Sequence, residues 1–183
     1  MDHAVDRGIN IFDAAEIHPV SPKAETQGRT ESIIGTWLAA EKTRYNLVNR
    51  TFEIGLSEIA QREEVSLLGY SPLGQGYLTG KYEDGALPPG SRKTLFNRLG
   101  RHEKGNGPKA ISAYVALARK HGLDPAQMAT AFAVSRPFVT SIIIGATTLE
   151  QLKTDIAAAD LKITDNLLED INQIHLDYSN PCP

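Results

Sequence analysis

Three short stretches of the 183-residue chain hold residue types at spacings that suit chemistry. Asp13 follows the apolar run Ile9-Asn10-Ile11-Phe12, and α/β folds place their active sites at the C-terminal ends of such strands. A carboxylate there can orient a neighbouring acid or base, although a helix N-cap or loop acceptor uses the same residue type. His18, five positions on in a polar loop, titrates near neutral pH, either as a proton donor or as a solvated side chain. The second stretch, Ser71-Pro72-Leu73-Gly74-Gln75-Gly76, offers a hydroxyl and backbone amides in a turn, but no GK[ST] follows, so it is no P-loop. Lys81 and Arg92 lie in the long loop after it, where they either grip a phosphate or stay solvated. The third stretch is Gly145-Ala146-Thr147-Thr148, a small-residue turn leading into a segment with Leu149, Leu152 and Ile156 at helical spacing. Thr147 with Glu150, or Thr148 with Gln151, fits a capping box. The N–H groups and positive dipole end of such a helix suit a phosphate, and an ordinary capped helix would look the same.

Each of these stretches needs a strand before it. Val139 to Ile144 is β-branched and suits a strand buried on both faces. Val65 to Tyr70 feeds the Ser71 turn, and Ile9 to Phe12 feeds Asp13. Helices are expected from about Glu31 to Glu41 (N-cap Thr30; buried stripe Ile33, Ile34, Trp37, Leu38) and over Phe52–Glu64, buried through Phe52, Leu56, Ile59 and Ala60. Others are expected over Lys109–His121, from Asp124-Pro125-Ala126-Gln127 onward, and over Thr164–Asp177. The run Lys42 to Arg50 reads as too polar for a central strand, so two helices follow one another where an alternating chain should supply one. Lys81 to Pro108 reads as a long loop. Alternation of buried strands and helices implies a parallel α/β architecture; three strands fall short of a (β/α)8 barrel, and a doubly wound sheet is the alternative.

Composition narrows the classes. With 19 basic and 22 acidic residues the net charge is −3, so no strong field favours nucleic acid or an anionic membrane. Cys182 is the single cysteine, which excludes disulfides within the chain and multi-cysteine metal sites; no metal is expected. No apolar run approaches a membrane span of about 20 residues, and MDHAVDRG lacks a signal peptide's apolar region, so a cytoplasmic protein is expected. The short segment Asp2–Arg7, closed by Gly8, has little reason to be a helix alone, which places the expected start of the domain upstream of Met1.

The segments GINIFDAAEIHPVSP, GRTESIIGTWLA, YSPLGQGYLTGKY and IIIGATTLEQLKTDI resemble, in order, successive landmarks of the aldo-keto reductases. Within them the Tas-like branch also has a counterpart to YNLVNRTFEIGLSEIAQREE. The resemblance implies a single partial domain over residues 1–183: an incomplete parallel (β/α)8 TIM-type barrel with an internal deletion near 41–45 and a missing N-terminal part. It implies NADPH as cofactor and a small-molecule carbonyl as substrate. By resemblance Asp13 matches the aspartate of the family's Asp-Tyr-Lys-His tetrad, while His18 stands in the catalytic tyrosine's place and no counterpart of the lysine or histidine remains. Tyr70 matches the residue stacking on the nicotinamide; Ser71, Pro72, Leu73 and Gly76 line the diphosphate path; Lys81 and Arg92 contact it from the covering loop. Gly145, Ala146 and Thr147 match the adenosine-phosphate end and Gln151 an adenine-side residue. Asp155 replaces a customary asparagine, which should weaken binding. The expectation is an impaired reductase, or a non-catalytic cofactor-binding or interaction module, prone to self-association through open sheet edges.

Overall fold

Three four- to five-residue strands, β1 (Glu41–Arg44), β2 (Leu67–Tyr70) and β3 (Val139–Ile143), form one parallel sheet in the order β1-β2-β3. The computed structural model describes residues 41–96 and 100–183. The expected strand Ile9–Phe12, the helix expected from Glu31, and Asp13 and His18 lie outside them. Glu41–Arg44 corrects the reading of Lys42–Arg50 as too polar for a strand. The run needs only one buried neighbour, because β1 pairs with β2 alone among the described residues. The two-faced burial expected of Val139–Ile144 is also corrected: β3 is half-buried, and among the described residues it pairs only with β2. The sheet is therefore α/β and parallel, as expected, and its described strands do not close into a barrel.

β2 is the central strand and fully buried up to Tyr70. Gly69 is required there. A Cβ at this position would stand 2.7 Å from Ile142 Cδ1 and 3.5 Å from Tyr45 Cβ, in contact with residues of both neighbouring strand segments. The crossover from β1 to β2 contains a 3-10 turn (Thr51–Glu53) and α1 (Leu56–Arg62), shorter than the helix expected over Phe52–Glu64 because Gly55, at φ +96°, breaks the chain between them. Phe52 and Ala60 are buried as expected. Leu56 and Ile59 are not, with exposures of 41% and 55%.

After β2 the chain passes through α2 (Arg92–Phe96), inside the segment read as loop, and then α3 (Gly107–Lys120) and α4 (Pro125–Val134). Asp124 caps α4 as expected, its carboxylate accepting the Gln127 N–H at 3.0 Å with Pro125 at the first helical position. After β3 come α5 (Leu149–Ala157) and α6 (Asp165–Asp177), the latter capped by Thr164 and buried through Leu167 and Ile171. The core lies between the sheet and these helices. Tyr45, Phe132 and Phe138 meet at its centre, with ring centroids 6.2 Å (Tyr45–Phe132) and 5.3 Å (Tyr45–Phe138) apart.

Beneath this core Arg50 is held almost without solvent contact. Its Nε and Nη2 donate to the two Glu53 carboxylate oxygens at 2.7 Å each, and Nη1 donates to Asn172 Oδ1 at 2.9 Å. Its guanidinium lies 5.0 Å from the Phe132 ring centroid. Tyr45 donates its hydroxyl to Glu53 at 2.5 Å, and Asn180 Oδ1 accepts the Arg50 N–H at 2.6 Å. One ion pair thus ties the β1–α1 connection to α6 and the C-terminal segment, where Cys182 donates its N–H to the Val48 carbonyl.

Candidate functional site

The pairing Arg44↔Tyr70↔Ile143 brings the C-terminal ends of all three strands into line. Here the chain leaves each strand: Arg44 into Tyr45-Asn46, Tyr70 into Ser71, Ile143 into Ile144-Gly145. The second and third stretches singled out in the sequence therefore lie on neighbouring strands at one edge of the sheet.

Ser71 adopts φ +57°, uncommon for a side-chain-bearing residue. Its carbonyl accepts from the buried Asn46 Nδ2 at 2.9 Å and from the Gly74 N–H at 3.0 Å, which hold the turn in that conformation. Pro72 is buried, and Leu73 packs against the core. The segment Gly74–Thr79 is a pair of 3-10 turns meeting at a kink where Gln75 (φ 59°) and Gly76 (φ 95°) are left-handed. A Cβ on Gly76 would stand 2.8 Å from Lys81 Cε and 2.9 Å from Lys81 Nζ, so glycine is what lets the ammonium lie along the turn. Lys81 Nζ also sits 5.2 Å from the Tyr82 ring centroid. No carboxylate pairs with Lys81, Arg92 or Arg44 among the described residues.

Lys93 differs from these three cations. It pairs with Glu103 and lies 5.7 and 5.8 Å from the Tyr77 and Tyr82 centroids, so one ammonium links α2 to Glu103 and to these two rings. The Tyr77 hydroxyl donates to Glu103 at 2.7 Å; burial, with that carboxylate's help, holds the phenol above its ordinary range. Arg92 is exposed at the start of α2.

At β3 the chain supplies a different geometry. Gly145, Ala146, Thr147, Thr148 and Gln151 are exposed together at the N-terminus of α5. Of the two pairs the sequence allows, the chain uses Thr148 with Gln151, but the returning bond closes on Thr147 rather than on the N–H of the cap residue. Thr148 Oγ1 accepts the Gln151 N–H at 3.2 Å, and Gln151 Oε1 reaches back to the N–H and hydroxyl of Thr147 at 2.9 and 3.0 Å. The first-turn amides beyond these remain donors without intrahelical acceptors. Thr148→Ala is expected to lower stability by about 1 kcal/mol in urea unfolding. Asp155 lies on the same face of α5 as Gln151, a turn further along, and is buried. Burial and the Asp124 carboxylate push its carboxyl up to about 6.

Two residues of this edge escaped the sequence reading. Arg44 places its guanidinium 6.0 Å from the Tyr70 ring centroid, and Asn46 clamps the Ser71 turn. Both sit in the run dismissed as too polar, whose informative signal was the paired asparagines: Asn46 and Asn49 bridge to each other and cap their own turn through the Val48 and Thr51 N–H groups. Among the described residues there is no group of His, Cys, Asp or Glu able to hold a metal ion, and no helix is long and apolar enough to cross a membrane.

The Aldo/keto reductase family model matches residues 39–175. Protein tas of Escherichia coli (strain K12) is 52% identical over 139 residues, which cover 76% of this chain and 40% of that protein. L-glyceraldehyde 3-phosphate reductase of the same organism is 33% identical over 168 residues, 85% of this chain and 46% of that protein. The probable voltage-gated potassium channel subunit beta of Arabidopsis thaliana is 28% identical over 180 residues, 95% of this chain and 55% of that protein. The chain thus spans about half the length of the curated relatives it matches. On the family match over most of its length, the chain belongs to the aldo/keto reductase family.

Proposed function

We propose that the chain binds NADPH along the C-terminal ends of β2 and β3 and does not by itself reduce carbonyls. The observation that carries this reading is the adjacency of the Tyr70–Gly76 turn and the Gly145–Gln151 helix start on paired strands. The residues suit the group chemically. Lys81 and Arg92 are cations without carboxylate partners among the described residues, Gly76 leaves the turn bare of a Cβ, and α5 presents first-turn amides beside exposed hydroxyls. Bound there, the cofactor would supply a hydride. Tyr70 would stack on the nicotinamide, Ser71 to Gly76 would follow the diphosphate, and Gln151 would face the adenosine end, whereas Asp155, 5% exposed and beside the Asp124 carboxylate, is turned into the fold. Arg44 already covers part of the Tyr70 ring, so the stacking partner would meet the ring elsewhere or displace the guanidinium.

The family's proton-donating tyrosine is replaced by His18, and nothing matches the tetrad lysine and histidine, so Asp13 and His18 would have to act without their charged neighbours. Proton transfer by a positioned acid contributes roughly 10²–10⁴-fold, and losing the groups that tune it removes most of that.

Isothermal titration with NADPH is the test. Weak but saturable binding is expected, and Lys81→Glu is expected to weaken it about tenfold, equivalent to about 1.4 kcal/mol. No heat at millimolar cofactor would end the proposal of binding. Steady oxidation of NADPH by 4-nitrobenzaldehyde, lost in Asp13→Asn, would overturn the proposal that the chain is inactive alone.

A further inference from the structure

Arg44 is a cation of this strand edge to which the binding of the dinucleotide assigns no partner. It ends β1 half-buried, and no carboxylate pairs with it among the described residues. The register Arg44↔Tyr70 sets the two residues side by side on neighbouring parallel strands. The guanidinium accordingly lies over the Tyr70 ring, 6.0 Å from its centroid. Lys81 is placed differently. It lies along the Gly76 turn, 5.2 Å from the Tyr82 centroid, where it suits a diphosphate.

We propose that Arg44 makes the Tyr70 platform selective for the redox state of the nicotinamide, favouring the neutral ring of NADPH over the cationic ring of NADP+. This selectivity rests on the nicotinamide stacking at Tyr70, as proposed above, and concerns what distinguishes the two forms once they are there. A bare tyrosine face attracts a cation through its quadrupole, so Tyr70 alone would favour the oxidised ring. Arg44 already occupies that attraction. An oxidised nicotinamide on or beside the same ring meets a like charge at close range, in a half-buried place where solvent screens the repulsion less than in bulk water. The reduced ring is neutral and meets no such repulsion. Displacing the guanidinium does not remove the conflict. Backbone pairing keeps Arg44 beside Tyr70, and no carboxylate among the described residues draws its side chain elsewhere. Lys81 and Arg92 cannot supply the same discrimination on the diphosphate, because both redox forms carry that group unchanged.

Isothermal titration of the full chain with NADPH and, separately, with NADP+ reads the ratio of the two Kd values. The wild type is expected to bind NADPH about tenfold more tightly, equivalent to about 1.4 kcal/mol. Arg44→Ala is expected to abolish that preference, chiefly by tightening NADP+, whereas Arg44→Lys keeps a cation and should keep the preference in weakened form. Arg62→Ala, which removes an exposed arginine of α1, should leave both constants unchanged. If the alanine variant loses its far-UV circular dichroism, Arg44→Gln carries the same test. Equal affinities for the two forms in the wild type would overturn the proposal while leaving NADPH binding intact. A preference that survives both Arg44→Ala and Arg44→Gln would do the same. Equal weakening of both forms in these variants would overturn it in favour of a bond from Arg44 to the carboxamide, which both forms carry. No heat from either nucleotide at millimolar concentration would end this proposal together with that of binding.

Discussion

Arg50→Ala is expected to lower the folding free energy by about 3 kcal/mol, the lower end of the usual cost of removing one partner from a buried ion pair, because the Glu53 side chain is itself 26% exposed. Glu53 accepts both Arg50 hydrogen bonds and the Tyr45 hydroxyl. Burial alone would raise the Glu53 carboxyl, but the hydrogen bonds from Arg50 and Tyr45 outweigh it and hold the group below its ordinary range. Without Arg50 a half-buried carboxylate is left with one phenol, and Asn172 and the Phe132 face lose their cation. Guanidinium chloride unfolding followed by circular dichroism should show the loss as a lower midpoint with little change in slope. The combined variant Arg50→Met with Glu53→Leu is expected to recover much of it, because the penalty lies in the stranded charge rather than in the absent attraction. The pH dependence carries the same sign. A depressed carboxyl stabilises the fold above its unfolded value and loses that contribution as pH falls through the folded one, so the wild type should weaken in acid and the double variant should lack that component. A loss under 1 kcal/mol for Arg50→Ala would mean that water reaches the pair.

Much of this arrangement was legible in the sequence, and the reasons for the exceptions are physical. Asp124, Thr148 and Thr164 cap their helices as their residue types and spacing require, because a cap is a local interaction spanning three residues. Tyr70–Gly76 and Gly145–Gln151 were correctly assigned to a turn and a helix start after strands, for the same local reason. Strand β1 was missed because its burial depends on pairing with Leu67–Tyr70, some 26 positions away, and a polar sequence tolerates a half-buried edge. The stripe of α1 was misassigned in the other direction: Leu56 and Ile59 are apolar at the right spacing, and only the neighbouring elements decide whether they are covered. The role of Arg50 was invisible for the same reason, since Asn172 and Phe132 are distant in sequence.

Asp155→Asn is expected to stabilise the fold, which makes it unusual among substitutions of a buried group. Asp155 is 5% exposed, and burial first, then the Asp124 carboxylate at the N-cap of α4, pushes its carboxyl up to about 6. A carboxyl raised from 3.8 to about 6 binds its proton more tightly in the folded chain than in the unfolded one. Between those two values the native state holds more protons, so stability falls as pH rises through the window and stays low above it. At 1.36 kcal/mol per unit the ceiling is about 3 kcal/mol, and relaxation around the carboxylate brings the expected gain from asparagine at pH 8 to between about 1 and 3 kcal/mol. Asparagine keeps the shape, removes the charge and supplies a donor that a carboxylate lacks. Near pH 4, where Asp155 is protonated in the folded chain, the variant and wild type should differ little. Urea unfolding of both proteins at pH 8, 6 and 4.5 therefore yields a difference that shrinks with acidity. A constant difference across that range would assign the effect to packing. A destabilised variant at pH 8 would mean that the Asp155 carboxylate makes a favourable interaction in its ionised form.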